Sequence, residues 1–545
     1  MSPLTRRSLL AATGSATALG LLSRGAVAEA QTARALQADA PPGSPFGPVV
    51  ITPTDKRYPD MLLRGQNRLY VGKPDNVVLP TNTNHVVRAV NAAQAAGQRI
   101  AVRSGGHGLA GLADDPAIQT VIDLSEFNAV SFNTIFNAFE VEAGALLGDV
   151  YKTLDLGWGV TIPGGSCPTV GVGGHITGGG YGYLSRQYGL VADNVCAVEV
   201  VVVGRNGMAS SVIATNGQFD PNRDLWWACC GGGGGNFGIV TRYWLRSPGA
   251  TGTDPTLQLP PSPTGLTTTT ATWRWSDLDA ASWATLVGNF TAWTARNSAP
   301  GTPTAPLMGL LVGFSHAIGS VTLTGVLDPS KPGSRPLLDA FVKQVIAGVP
   351  APAITTQENQ AWLYHTINLP PLSSAFGIPS DQIRTVTKGA YLRQPLTAAQ
   401  AKTAYNHLND TTYTNPAVFF ISTYGGQINA LPADANASSH RDSMALMAIS
   451  NYWADPATDA DNRKYIRTFY QELFATTGGV PTPGGQTDGS YINWPDADLL
   501  DPAWNSSGVP WSTIYYKNNY QRLRQIKSAW DPTNAFRHTL SVEPA

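Results

Sequence analysis

His107 and Cys167 are the two side chains in this sequence whose chemistry and setting stand out. An imidazole offers a nitrogen lone pair, a thiol a nucleophilic sulfur, and each lies in a glycine-rich stretch. The first stretch is Arg103-Ser104-Gly105-Gly106-His107-Gly108. The second starts at Gly164-Gly165-Ser166-Cys167 and runs through Gly171-Val172-Gly173-Gly174-His175 to Gly178-Gly179-Gly180-Tyr181. Glycine at this density lets backbone N–H groups approach a ligand and form anion-binding nests. A nucleotide cofactor needs such donors for its pyrophosphate and no bulky side chain at closest approach. Alone, His107 reads as an ordinary loop histidine and Cys167 as a small buried hydrophobe. Together, each on its own glycine platform, they read as a pair. A third run, Gly231 to Gly235 before Asn236-Phe237-Gly238-Ile239-Val240, has apolar neighbours on both sides and reads as another backbone platform. The dinucleotide fingerprint of a Rossmann unit is absent, which argues against a nicotinamide cofactor.

The surrounding elements form an α/β pattern. Val86, Val87, Val90 and Ala93 share one face of a helix expected at about 83–97, with Gly97 at its C′ position. Ile100-Ala101-Val102 is a short buried strand entering the first glycine loop. Val121 to Leu124 and Phe139 to Glu142 read as strands, and Gly148 to Leu154 as a short helix with Gly157 near its end. Val198 to Val203 is nearly continuous in β-branched residues, the mark of a strand buried on both faces. Residues 248–270, rich in Pro, Thr and Gly, mark a boundary. Beyond them, strands (310–314, 321–324, around 418–428) and amphipathic helices (336–347, 397–409, 460–475) suggest an α+β region with an antiparallel sheet facing a ligand. A helix is expected to open at Tyr515 and to end at Asp531-Pro532, packing the tail on the first domain.

The 545 residues suffice for two domains, and 56 glycines with 40 prolines make loops abundant. A net charge of −1 gives no general attraction to nucleic acid or anionic membranes. Four cysteines in so long a chain make no disulfide framework. His316, His365, His407, His440 and His538 lack metal-ligand spacing and read as structural or surface residues, so no metal is expected. At the amino terminus, Arg6-Arg7 precede a mild apolar stretch, Leu9 to Leu22, and then Ala26-Val27-Ala28. Residues 1–30 therefore read as a twin-arginine signal, the mature protein as secreted, and the apolar stretch as too short to span a bilayer.

RSGGHGLAG, GGSCPTVGVGGHITGGGYGYLSRQYGL, GGGGGNFGIVTRYW and YYKNNYQRLRQIKSAWDP together resemble the berberine-bridge-enzyme branch of the FAD-linked oxidases. Within that branch the pattern is similar to the aclacinomycin-oxidoreductase type of bacterial tailoring oxidase. The resemblance covers nearly the whole mature chain. It implies a two-domain α+β fold of the PCMH/vanillyl-alcohol-oxidase-like type. An FAD domain would span 45–247, a substrate domain 248–499, and the segment 500–545 would return to the FAD domain. It also implies FAD bonded twice, through His107 to the 8α-methyl carbon and through Cys167 to ring carbon 6. Arg103, Ser104, Gly105, Gly106, Gly108, Gly173, Gly174 and Gly178 belong to the implied cradle. Val170 matches the oxygen-gating position, and His175 a residue near the pyrimidine end of the ring. Tyr181 matches a tyrosine near the substrate. Asn236, Ile239 and Val240 would contact FAD, while Tyr516 and Asn519 would close over it from the tail.

In relatives the catalytic base is often a tyrosine in a Tyr/Phe-x-Asn-Tyr segment. Here that segment is Tyr491-Ile492-Asn493-Trp494, and indole has no useful titratable proton. A second tyrosine of the family matches Ser422. Tyr491 and Tyr424 are left as candidates for the base. In a regular strand Tyr491 would face away from Trp494. Asp496 is equally a helix cap, an ion-pair partner or an acid. The implied activity is oxidation of a hydroxyl, carbinol or sugar, of a natural product or saccharide, with O2 as acceptor. Oxidative ring closure or desaturation is one alternative, and a flavoprotein scaffold without turnover another.

Overall fold

The computed structural model describes residues 47–369 and 376–545. The expected signal segment, 1–30, lies outside them. Within the unit from Phe46 to Ala545 the fold is α+β, with three sheets taken from the chain in sequence order. The first contains β1 (Val49–Ile51), β2 (Asn76–Leu79), β3 (Ile100–Arg103) and β4 (Thr120–Asp123), in the order β1-β2-β4-β3. The pairs β2–β4 and β3–β4 are parallel. The second contains β5 (Val130–Asn133), β6 (Ala138–Glu142), β7 (Val195–Val203), β8 (Ala209–Thr215) and β9 (Ile239–Leu245), in the order β5-β6-β9-β7-β8. The third is antiparallel: β10 (Gly265–Arg274), β11 (Met308–Phe314), β12 (Ser320–Leu327), β13 (Ile354–Ala361), β14 (Arg384–Leu392), β15 (Ala417–Thr423) and β16 (Ala445–Trp453), in the order β13-β10-β12-β11-β15-β16-β14.

Local sequence explains most of these elements. The helix Thr83–Ala95 starts at Asn82, whose side chain accepts from the His85 N–H, and buries Val86, Val90 and Ala93. Gly97 follows with a left-handed φ of +66°. Every residue of β7 is buried, as its valine run predicts. The helix expected to end near Gly157 instead runs Leu147–Trp158. It stops at Gly159, which takes φ +67° and receives the terminal αL bend that Gly157 does not supply.

The tail departs further from expectation. One helix covers Trp511–Tyr516 and another Tyr520–Trp530, with Lys517 at φ +52° breaking them apart. The second helix carries Lys527, fully buried. Its ammonium donates to Asp531 Oδ2 at 2.6 Å, to the Asn236 carbonyl at 2.6 Å and to the Phe536 carbonyl at 2.5 Å. Asp531 in turn accepts from the Ala535 and Phe536 N–H groups. A buried charge survives only with partners of this kind, and the cluster ties the tail to the third glycine run.

Candidate functional site

The two glycine loops interlock. A Cβ on Gly105 would lie 2.3 Å from the Gly171 nitrogen, and one on Gly171 would lie 2.2 Å from the Gly105 nitrogen. Only glycine at both positions permits this crossing. It fixes the loops so that His107 and Cys167 line one cavity of about 820 Å3. The His107 Nε2 lies 2.9 Å from Thr169 Oγ1, and Cys167 Sγ lies 3.4 Å from the same oxygen. Burial lowers the His107 imidazole to about 4, so it is neutral at pH 7.

Ser104, Gly105, Gly106, Gly108, Val170, Gly173, Gly174, Asn236 and Val240 also line the cavity. Arg103 lines it too. The Arg103 guanidinium is tied to Asp123 at 2.8 Å and to the Met61 carbonyl at 2.9 Å. Ser104 Oγ donates to the Ala143 carbonyl at 2.6 Å. The Asn236 side chain is likewise occupied, accepting from the Val542 N–H at 2.9 Å. Glycine platforms, a large cavity and two nucleophilic side chains on its wall fit a nucleotide cofactor of flavin type.

His175 sits in the short helix Val172–Thr177 and lines the same cavity. Its Nε2 accepts the Gly165 N–H at 3.1 Å, which places its own N–H on Nδ1. Burial brings it to about 4.

Tyr491 and Trp494 are not on opposite faces of a strand. The Trp494 N–H donates to the Tyr491 carbonyl at 2.8 Å, closing a turn. The turn brings the two rings edge to face with centroids 5.3 Å apart. Both line the cavity. The Tyr491 phenol oxygen accepts from Asn493 Nδ2 at 2.9 Å and from the Gly180 N–H at 3.3 Å, and the Tyr181 N–H acts in the same sense. Burial still pushes Tyr491 up to about 12, against these donors. Asn493 Nδ2 also donates to the His175 carbonyl at 3.0 Å.

Several expected contacts fall elsewhere. Gly178 lies off this cavity; a Cβ there would meet Asn493 Oδ1 at 2.1 Å, so its role is to seat Asn493. Tyr424 is fully buried between Tyr181 and Tyr391, at ring distances of 5.4 and 5.1 Å, and burial raises its phenol strongly. It follows the end of β15 and does not line this cavity. Tyr181 does line the cavity, but its hydroxyl donates to the Thr423 carbonyl at 2.5 Å, and burial pushes it up to about 12. Ile239 points into the core. The Tyr516 hydroxyl donates to the Gly232 carbonyl, and Asn519 Nδ2 to the Ala433 carbonyl, so both brace the third glycine run and its neighbours from behind. Asp496 is both a helix cap and an ion-pair partner, 2.7 Å from Lys388 Nζ.

The tail reaches the cavity through Phe536, Arg537 and His538, the last of which reads from sequence as a structural or surface residue. The His538 Nε2 lies 3.1 Å from the Gly234 carbonyl, and burial brings the ring to about 4. Its spacing from the other histidines gave no sign of this placement.

The opposite wall is one face of the third sheet. Met308, Leu310, Val312 and Phe314 of β11 alternate toward the cavity, and so do Val418, Phe420 and Ser422 of β15. Leu310 pairs with Ser422, Val312 with Phe420 and Phe314 with Val418. Trp494 packs edge-on against Phe420 at 5.6 Å. Both departures from the tyrosine pattern, Trp494 and Ser422, therefore lie in this cavity.

Two family models match the chain: an FAD-binding domain over residues 74–208 and a berberine and berberine-like domain over 490–543. The chain is 47% identical over 550 residues to the aclacinomycin-N/aclacinomycin-A oxidase of Streptomyces galilaeus, covering 100% of this chain and 99% of that protein. It is 26% identical to the hexose oxidase of Chondrus crispus, over 90% of this chain and 93% of that one. Among solved structures, aclacinomycin oxidoreductase superposes with a TM-score of 0.88 at 48% identity, over 91% of this chain and 99% of the other. A glycopeptide hexose oxidase complexed with teicoplanin does so with a TM-score of 0.88 at 41% identity, over 92% and 100%.

Proposed function

Starting from the fact that this chain belongs to the berberine-bridge-enzyme-like FAD-linked oxidases, an FAD-dependent oxidoreductase rather than a scaffold without turnover, we propose that it oxidises a hydroxyl on a bulky, largely apolar natural product. The observation that carries this is one shared cavity. His107 and Cys167 stand on one wall, the Tyr491 phenol is held by N–H donors, and the wall of β11 and β15 is apolar. His107 and Cys167 would hold FAD by two bonds, and FAD held there would supply the hydride acceptor for carbinol oxidation, with O2 as terminal acceptor and H2O2 as its product.

The chain's residues do the rest. Tyr491 takes the hydroxyl proton, and the Asn493 and Gly180 donors favour its ionised form. His175, with its N–H on Nδ1, would supply a donor for negative charge developing on the cofactor ring. Val170 lines the cavity and would leave room for O2 beside the cofactor. Met308, Leu310, Phe314 and Phe420 offer dispersion and desolvation to an aromatic or polycyclic body, and Ser422 leaves space where a tyrosine would fill it. A saccharide unit carrying the reactive hydroxyl fits if it is attached to such a body. The protein works outside the cell, exported through residues 1–30. The high position of Tyr491 favours keeping ring closure or desaturation as a second reading, since a substrate with a more acidic proton, or without a hydroxyl, depends less on this phenol.

Oxygen uptake with matched substrates tests the proposal. Aromatic glycosides and polycyclic carbinols should drive uptake with stoichiometric H2O2, and the product should be a ketone, aldehyde or lactone. Free mono- and oligosaccharides turning over faster would overturn the substrate class. A new ring or double bond would establish the second reading.

A further inference from the structure

Thr169 stands in none of the glycine platforms' roles described so far, yet its hydroxyl touches both attachment residues. It follows Cys167 by two positions in a turn closed by the Val170 N–H on the Cys167 carbonyl at 3.3 Å. Its own carbonyl packs against Gly105, where a Cβ would meet it at 2.9 Å. Backbone and side chain of this one residue thus meet the first glycine loop, and the hydroxyl is exposed rather than held by the core.

We propose that Thr169 is a positioning residue for covalent flavin attachment, its hydroxyl accepting the Nε2–H of His107 and donating toward the sulfur of Cys167. The inference rests on the two-bond reading above. A neutral imidazole has one N–H and one lone pair. With Nε2–H directed to Thr169 Oγ1 at 2.9 Å, the lone pair is on Nδ1, the nitrogen free to form a bond. A hydroxyl has one proton to give, and at 3.4 Å the Cys167 sulfur is in reach of it. Donation toward sulfur favours the thiolate, the nucleophilic form.

The balance of each attachment explains why one hydroxyl serves both. At His107 an N–C bond replaces a C–H bond of the 8α-methyl group and the Nε2–H bond. At Cys167 an S–C bond replaces a ring C–H bond and the S–H bond. In each case two protons leave and one electron pair passes to O2, giving H2O2. The proton that leaves the protein departs from Nε2 in the first case and from sulfur in the second, and these are the two atoms Thr169 Oγ1 contacts.

The test is intact-mass and peptide-mapping analysis of purified holoprotein after acid denaturation. Thr169→Val keeps the shape and removes the hydroxyl. The ratio of doubly to singly attached protein should fall at least tenfold, while Thr169→Ser should restore it. Because the hydroxyl is exposed, thermal unfolding should change little, and Thr169→Ala should repeat the result if the valine variant folds poorly. Full double attachment in the valine and alanine variants would overturn the role of Thr169 and leave the two-bond reading intact. Wild-type protein free of covalent flavin would overturn both.

Discussion

Asn493→Ala isolates the electrostatics of the base. The substitution removes the donor 2.9 Å from the Tyr491 oxygen and leaves the Gly180 N–H at 3.3 Å and the phenol ring in place. A hydrogen bond to a charged group contributes about 1.5–3 kcal/mol. At about 1.4 kcal/mol per tenfold, the ionised phenol becomes roughly 10- to 100-fold less populated, and its pKa rises by about 1–2 units. Tyr491 already lies near 12 because burial outweighs its donors, so loss of the strongest donor moves it further from neutrality. The assay is anaerobic stopped-flow bleaching of the flavin by a good substrate across pH. The limiting rate should fall about 10- to 100-fold at neutral pH, and its alkaline rise should move to higher pH, with little change in substrate Kd. Tyr491→Phe should lower the rate by at least ~10²-fold and abolish that rise. Asn493 also braces the His175 carbonyl at 3.0 Å, so a lower rate alone does not separate the two roles; the pH displacement does. Near-normal bleaching by Tyr491→Phe, or a slow Asn493→Ala enzyme with an unmoved pH profile, would refute the assignment.

Three further outcomes follow from the packing. Gly171→Ala forces a methyl to within 2.2 Å of Gly105 N and Ser104 Oγ, and should cost at least about 3 kcal/mol and most of the bound flavin, read by calorimetry and FAD content. Lys527→Met leaves Asp531 buried without its cation and should destabilise by about 3–5 kcal/mol in urea unfolding, with Lys527→Met/Asp531→Asn recovering part of the loss. His440 is buried and neutral with a folded value of about 3 against an ordinary 6.5, so below pH 6.5 the unfolded chain binds a proton that the folded chain refuses. Its contribution is therefore complete above pH 6.5 and is lost as pH falls toward 3, at about 1.4 kcal/mol per pH unit in between; the unfolding midpoint of His440→Gln should depend less steeply on pH in that window.

Legibility followed the reach of local rules. The helix Thr83–Ala95, the valine strand β7 and the glycine loops were readable because spacing, propensity and backbone freedom act over a few residues. The strands at 310–314 and around 418–428 were readable as members of an antiparallel sheet, and they pair as β11 and β15. Irregular segments were not readable in this way. The 491–494 stretch has the composition of a strand, but the Trp494 N–H closes on the Tyr491 carbonyl and reverses the expected facing. Tyr424 belongs to the parity of Ser422 and Phe420, but β15 ends at Thr423 and the chain turns before the parity applies. Gly178 looked like part of a cofactor cradle because it stands in a glycine run, whereas its missing side chain makes room for Asn493. His538 and Gly234 come together only through the tail's return, a contact 304 residues long in sequence.

That return completes the cavity wall. Residues 536–538 share the cavity wall with residues 100–109, and the Val542 N–H bonds to Asn236 while the Ala545 N–H bonds to Ser528. The wall is complete only while residues 536–545 are folded back beside Asn236, so a chain in which that segment has come away has lost part of the cavity that would hold the flavin.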